Sequence, residues 1–160
     1  EDGHVMASLI KKFILAKSNN LKQVICWGTG SPFREFLHVD DLAYACISAL
    51  EKWNPDENDA PKDINDEKLL YLNVGSGEEI SIKDLANKIA LYTNFKGNII
   101  WDNEKPDGTL RKNLDISRLK FTGWEPKINL DIGINQVIKD IENSINDDLD
   151  NGKSLKNFFI

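Results

Sequence analysis

The chain has 160 residues, of which 41% are hydrophobic and 29% charged, the proportions of a globular domain that folds in water. Its 20 Lys and Arg stand against 26 Asp and Glu, a net charge of −6. That balance argues against nucleic acid or an anionic membrane as a partner, because affinity for either comes from cations, and no apolar run approaches the roughly 20 residues that cross a bilayer.

Residues 5–17 read as a helix, with Met6, Leu9, Ile10, Phe13 and Ile14 on its apolar side and Ser8, Lys11 and Lys12 opposite. The chain enters this helix with no Met start, no preceding strand and no signal-peptide pattern, as a protein cut in the middle would. "VICW" follows as a strand that the glycines and proline of "GTGSP" stop. "REFLHV" alternates as a second strand. Asp40 is the predicted N-cap of a helix running to about Trp53, with Asp41 favourably placed in its first turn and His38 in a structural role beside it. Cys46 shares a helical face with Leu42, Ala45, Ala49, Leu50 and Trp53 and is expected in the core, as is Cys26 in its apolar strand. Two cysteines make no disulfide framework, which fits a reducing, cytoplasmic compartment.

Residues 54–68 carry six acidic residues and two prolines, a solvated and mobile surface loop. "LLYLNV" reads as the next strand and "GSGEE" as a loop. Ser81, with Asp84 three residues on, opens a helix that turns Ile82, Leu85, Ala86 and Ile89 inward. "NIIWD" is a strand, "DISRLKFTGW" a short helix ended by Gly123, and Leu130, Ile134, Ile138, Ile141 and Ile145 mark a last amphipathic helix. No internal repeat is evident. The order of elements is that of an α/β chain.

One loop has more charge than its turn requires. "KPDGTLRKNLD", residues 105–115, needs only its Pro, Asp and Gly to turn. Lys105, Arg111 and Lys112 are surplus to that purpose and point either to simple solubility or to a loop that closes over an anion. No glycine-rich dinucleotide fingerprint follows a strand, and no Tyr-x-x-x-Lys pair is present. No metal site is expected, His38, Asp40 and Asp41 included.

"HVMASLIKKF", "VICWGTGSPFREFLHVDDLAYA", "LNVGSGEEISIKDLA", "DNEKPDGTLRKNLDISRLKFTGWEP" and "INLDIGI" occur in this order. Together they resemble the C-terminal part of the GDP-L-fucose synthases, a family of the extended short-chain dehydrogenase/reductase superfamily, over roughly residues 3–142. The resemblance implies the substrate-binding C-terminal portion of an extended Rossmann-type α/β enzyme whose N-terminal Rossmann half is absent here. Residues 1–145 would be the nucleotide-sugar-binding portion and 146–160 a flexible tail. The implied activity is 3,5-epimerisation of GDP-4-keto-6-deoxy-D-mannose followed by NADPH-dependent reduction of its 4-ketone. The Ser, Tyr, Lys and Cys of that chemistry, the grip on NADP and the main helices of the family's homodimer belong to the absent half, so this chain alone is expected to be inactive.

By residue, the resemblance makes His4 the acid that faces the epimerising cysteine, on the nicotinamide side of the cofactor. An imidazole suits that work because it titrates near neutrality. Trp27 and Arg34 match positions that contact the GDP-sugar. In the family the basic loop lies beside the bound nucleotide-sugar, so Lys105, Arg111 and above all Lys112 can face its diphosphate, and Asp107 either accepts from a ribose or base or caps its own turn. Lys12 stands where relatives commonly carry Arg, and Leu110 where they usually carry Pro. The alternatives are the substrate domain of another nucleotide-sugar epimerase or dehydratase, and a non-catalytic module that binds a nucleotide sugar.

Overall fold

Val5–Ser18 form α1, which buries Leu9, Ile10, Phe13 and Ile14 at the predicted spacing. The computed structural model that shows this describes residues 4–150. They fall into two compact units: residues 4–32, 81–110 and 131–150, and residues 33–80 and 111–130.

The first unit repeats one device. α1 leads into strand β1 (Gln23–Trp27), and a later helix, Ile82–Tyr92, leads into a strand Asn98–Asp102. Asn20 and Asn94, just past the two helices, take positive φ of 52° and 58°. Asparagine tolerates that region better than most residues. At each exit two amides turn back onto the helix, Leu21 N to Ala16 O and Asn20 N to Lys17 O in one, Phe95 N to Ala90 O and Asn94 N to Leu91 O in the other. These bonds satisfy carbonyls that the helix end would otherwise strand. The strands then pair in parallel with Gln23 opposite Asn98 and Trp27 opposite Asp102. Phe13 meets Phe95 edge-on, ring centres 5.4 Å apart, beneath them.

The second unit holds a three-stranded sheet. In chain order β2 is Phe33–Glu35, α2 is Val39–Lys52, β3 is Glu79–Ser81, α3 is the Ile82–Tyr92 helix and β4 the Asn98–Asp102 strand. β5 is Arg111–Lys112, α4 is Ser117–Lys120 and α5 is Leu130–Asp150. The sheet order is β3-β2-β5. Ala45, Leu119 and Trp124 form the core of this unit, with Leu37, Leu72 and Val74 packed against them.

Several expectations are corrected here. The N-cap of α2 is His38, whose Nδ1 accepts from Asp40 N at 3.2 Å. Asp41 is instead buried, its carboxylate accepting from Lys127 N and Ile128 N. Because Asp41, Ala45 and Ser48 face inward, the opposite side of α2 is turned out, and Cys46 is exposed with Val39, Leu42, Ile47 and Leu50. Cys26 is buried as expected.

"LLYLNV" forms no strand, since among the described residues no neighbour offers it a ladder. β2 stops at Glu35 rather than Val39, as the Glu35 carboxylate takes Gly77 N at 2.6 Å and Leu114 N at 2.9 Å. A side chain there does the joining that longer strands would do.

The acidic segment 54–68 is largely exposed yet folds on itself, with Asp63 accepting from Asn65 N and Glu67 N. α5 runs five residues past the predicted start of the tail, and 151–160 lie outside the described residues. No helix among the described residues is long and apolar enough to cross a membrane.

Candidate functional site

The site-forming feature of the first unit is a cavity of about 230 Å³ walled by Val5, Ser8, Leu9 and Lys12 of α1, Cys26 and Trp27 of β1, Ile82 and Trp101. It exists because α1 and β1 are packed side by side, so one turn-by-turn face of the helix looks along the end of the strand. Its size is below the roughly 300–1,000 Å³ of a whole small-molecule site, so it has room for part of such a ligand only.

Trp27 is the cavity's aromatic wall, a residue 62% exposed. Two ammonium groups flank the ring, Lys12 Nζ at 5.6 Å and Lys105 Nζ at 5.8 Å from its centre. Each is within cation–π reach. Lys12 also donates to Ile25 O at 3.2 Å, which fixes its head group beside the strand. Among the described residues Lys105 has no ion pair, so its charge is not cancelled by a carboxylate. An exposed ring between two positive charges accepts a flat, electron-rich group and an anion together. Cys26 contributes wall rather than chemistry, since burial pushes its thiol up and the nearby Lys12 only partly opposes that.

Asp107 is committed elsewhere. Its Oδ1 accepts from Thr29 N at 2.9 Å and its Oδ2 from Thr29 Oγ1 at 2.6 Å, and Thr29 Oγ1 lies 2.7 Å from Ser31 Oγ. The Thr29 hydroxyl, then the Thr29 and Gly30 amides, hold the carboxyl below its ordinary range.

His4 occupies the N-cap of α1, where its carbonyl accepts from Ser8 N while its imidazole makes no capping bond. His4, Ser8 and Lys12 therefore follow one another at four-residue spacing down the helix, about 12 Å from first to last at 1.5 Å per residue.

In the second unit the parallel pairing of β2 with β5 sets Phe33 opposite Arg111 and Arg34 opposite Lys112. Successive residues of a strand point to opposite faces, so Arg34 and Lys112 share one face and Arg111 lies on the other. Arg111 is held there by Glu79, with Nε 2.8 and 2.9 Å from its two oxygens. That contact lowers the Glu79 carboxyl and raises the Arg111 guanidinium from their ordinary values. Arg34 donates to its own strand at Phe33 O. The three loop cations thus divide among different surroundings. Sequence reasoning missed Glu35 and Thr29 as organisers; the signal for both was a neighbouring glycine. A Cβ on Gly75 would come within 2.4 Å of Glu35 Oε1, and one on Gly28 within 2.2 Å of Asp107 Oδ1.

The same observation decides the fit of a dinucleotide. A phosphate-binding glycine turn needs open space and bare amides at a helix start. Here the space at Gly28 is filled by the Asp107 carboxylate and that at Gly75 by Glu35. Neither turn fits NADP.

Residues 1–65 match the NAD dependent epimerase/dehydratase family. GDP-L-fucose synthase 1 of Arabidopsis thaliana is 43% identical over 86% of the chain, which spans 38% of that relative's length. GDP-L-fucose synthase of Escherichia coli is 41% identical over 83% of the chain, which spans 40% of that relative. Among solved structures, a GDP-mannoheptose C4 reductase from Campylobacter jejuni with NADP bound superposes on 87% of the chain, covering 45% of its own, at TM-score 0.69 and 30% identity. An α/β chain homologous, over most of its own length, to part of the GDP-L-fucose synthases is what the fold and these likenesses establish.

Proposed function

We propose that this chain is the GDP-sugar-binding portion of a GDP-L-fucose synthase, acting on GDP-4-keto-6-deoxy-D-mannose. The observation that carries the reading is the cavity itself, a Trp27 ring flanked by Lys12 and Lys105 at one end of a helical line that starts at His4. A nucleotide sugar has a flat base, two phosphates and a sugar ring, and needs those three kinds of partner in series.

In this reading the cavity holds one ring of the ligand against Trp27, and Lys12 and Lys105 neutralise phosphate charge. On the second unit's sheet, Arg34 and Lys112 share a face and offer donors of the kind that phosphate oxygens take, with Arg34 able to fork two at once. The His4 imidazole gives a proton to the carbons beside the ketone, on the face opposite a base of the remaining part of the enzyme that takes one away, and so the centre inverts. NADPH, when bound, supplies the hydride for reduction. It is held by the part of the enzyme corresponding to the rest of the relatives' length, since the glycine turns here do not fit it. The outward apolar face of α2 supports such a partner portion, because Val39, Leu42, Ile47 and Leu50 are more exposed than a finished surface favours. We read the complete enzyme as a cytoplasmic homodimer.

The test is His4→Gln in the enzyme assembled with its cofactor portion. Loss of deuterium uptake from heavy water at the two carbons, with GDP affinity unchanged, is expected. Unchanged exchange and product stereochemistry would remove His4 from the reaction.

A further inference from the structure

The loop 103–110 is long, exposed and rich in turn residues, yet it carries one of the two charges that flank Trp27. Something must keep Lys105 there, because a flexible lysine on a free loop spends little of its time in any one place. Asp107 ties the loop to the rest of the unit through its side chain. Both carboxylate oxygens are used, one by the Thr29 amide and one by the Thr29 hydroxyl, at 2.9 and 2.6 Å.

The receiving turn is shaped for that contact. Gly28 and Gly30 both have φ of 76°, which turns the backbone so that the Thr29 amide faces the loop. Only a residue without Cβ leaves the Asp107 oxygen room at Gly28. The turn is itself anchored, with Gly28 N donating to Asp102 O and Lys83 N to Gly30 O. Lys105 N donates to Asp102 O as well, so the loop's two ends of contact close on the same strand end. Ser31 completes the chain of hydroxyls through Thr29 Oγ1.

We propose that Asp107 is a positioning residue rather than a ligand of the nucleotide: it latches the 103–110 loop to the 28–31 turn and so holds Lys105 over Trp27. The proposal deepens the reading of the cavity as a nucleotide-sugar site and rests on it for its use, but the latch itself is testable without any nucleotide. A carboxylate beside a diphosphate site would repel the ligand if it were free. Bound by Thr29, the carboxylate is turned onto two donors of the 28–31 turn, while Lys105 is presented to Trp27.

The test uses fluorescence quenching of Trp27, isolated by subtracting the signal of Trp27→Phe, with iodide as an anionic quencher and acrylamide as a neutral one. Lys105→Ala is expected to lower iodide quenching and leave acrylamide quenching unchanged or higher. Thr29→Val removes the hydroxyl without changing charge or shape, and is expected to lower iodide quenching towards the Lys105→Ala level. Thr29→Ser restores the hydroxyl and is expected to restore the wild-type value, a rescue that general loosening of the turn would not give. Wild-type iodide quenching in Thr29→Val, or failure of Thr29→Ser to differ from it, would overturn the latch. So would an unchanged value in Lys105→Ala.

A parallel GDP titration separates the two ideas. Thr29→Val is expected to weaken GDP about three- to tenfold, the worth of one net hydrogen bond. In the Lys105→Ala background it is expected to have no further effect. Additive losses would overturn the positioning role. Absence of GDP binding by the unmutated chain would overturn the nucleotide-sugar reading, leaving the latch to stand or fall on the quenching.

Discussion

Arg34 and Lys112 are register partners across the parallel pair β2–β5, on one face of the sheet, while Arg111 beside Lys112 is turned to the other face and clasped by Glu79. Adjacent cations in the same loop are therefore unequal. Arg34→Ala and Lys112→Ala are each expected to weaken GDP-sugar binding by about 1.5–3 kcal/mol, the range for hydrogen bonds to charged groups. Arg111→Ala is expected to change it little. Calorimetry on the three variants checks this ranking, and equal losses in all three would contradict it.

Asp131 at the start of α5 accepts from Lys88 Nζ at 2.6 Å and Tyr92 Oη at 3.0 Å. The Lys88 contact first, then the Tyr92 hydroxyl, pull its carboxyl below the ordinary range. A depressed carboxyl stabilises the fold above the unfolded-state pKa of about 3.9, and that stability drains away as pH falls through the lower folded value. The pair is partly exposed, so solvent screening limits it to under about 1 kcal/mol. Asp131→Asn is expected to lower the melting temperature near pH 7 by no more than about 2–4 °C. The difference should vanish in strong acid, and thermal melts across pH read both ends.

Ser81 caps α3 by accepting from Asp84 N at 3.0 Å, and its hydroxyl is oriented by donating to Asp84 Oδ2 at 2.6 Å. Ser81→Ala is expected to cost about 1 kcal/mol of stability. Ser81→Thr should recover most of it. Urea unfolding of the pair, with an unchanged dependence on denaturant, is the check.

Much of the first unit was legible in the sequence because its signals are local. The spacing of Leu9, Ile10, Phe13 and Ile14, the Ser81–Asp84 cap and the Ile ladder of α5 each specify one element without help from the rest of the chain. The second unit was less legible because side chains there replace regular structure. Glu35 takes amides that a longer β2 would have paired, and Asp41 goes inward to two amides instead of to its own helix start. The inward turn of Asp41 also rotates α2, which is why Cys46 is on the surface although its apolar neighbours suggested otherwise. The resemblance to a family could name Lys105, Asp107 and Arg111 as one group. Only geometry shows that Asp107 is bonded to Thr29 and Arg111 to Glu79. The matching exits of α1 and α3 escaped a search for repeats because they share a backbone shape and one asparagine, not a sequence.

The central claim is that the cavity beside Trp27 receives a ring of a guanosine diphosphate sugar between two lysine charges. Isothermal titration of the chain with GDP, alongside Trp27→Ala and Lys12→Ala, measures it most directly. Saturable one-to-one binding is expected, weakened by about 1–3 kcal/mol in Trp27→Ala, the worth of one base stacked on an aromatic ring, and falling with added salt. No binding heat with GDP, or wild-type affinity in both variants, would contradict it.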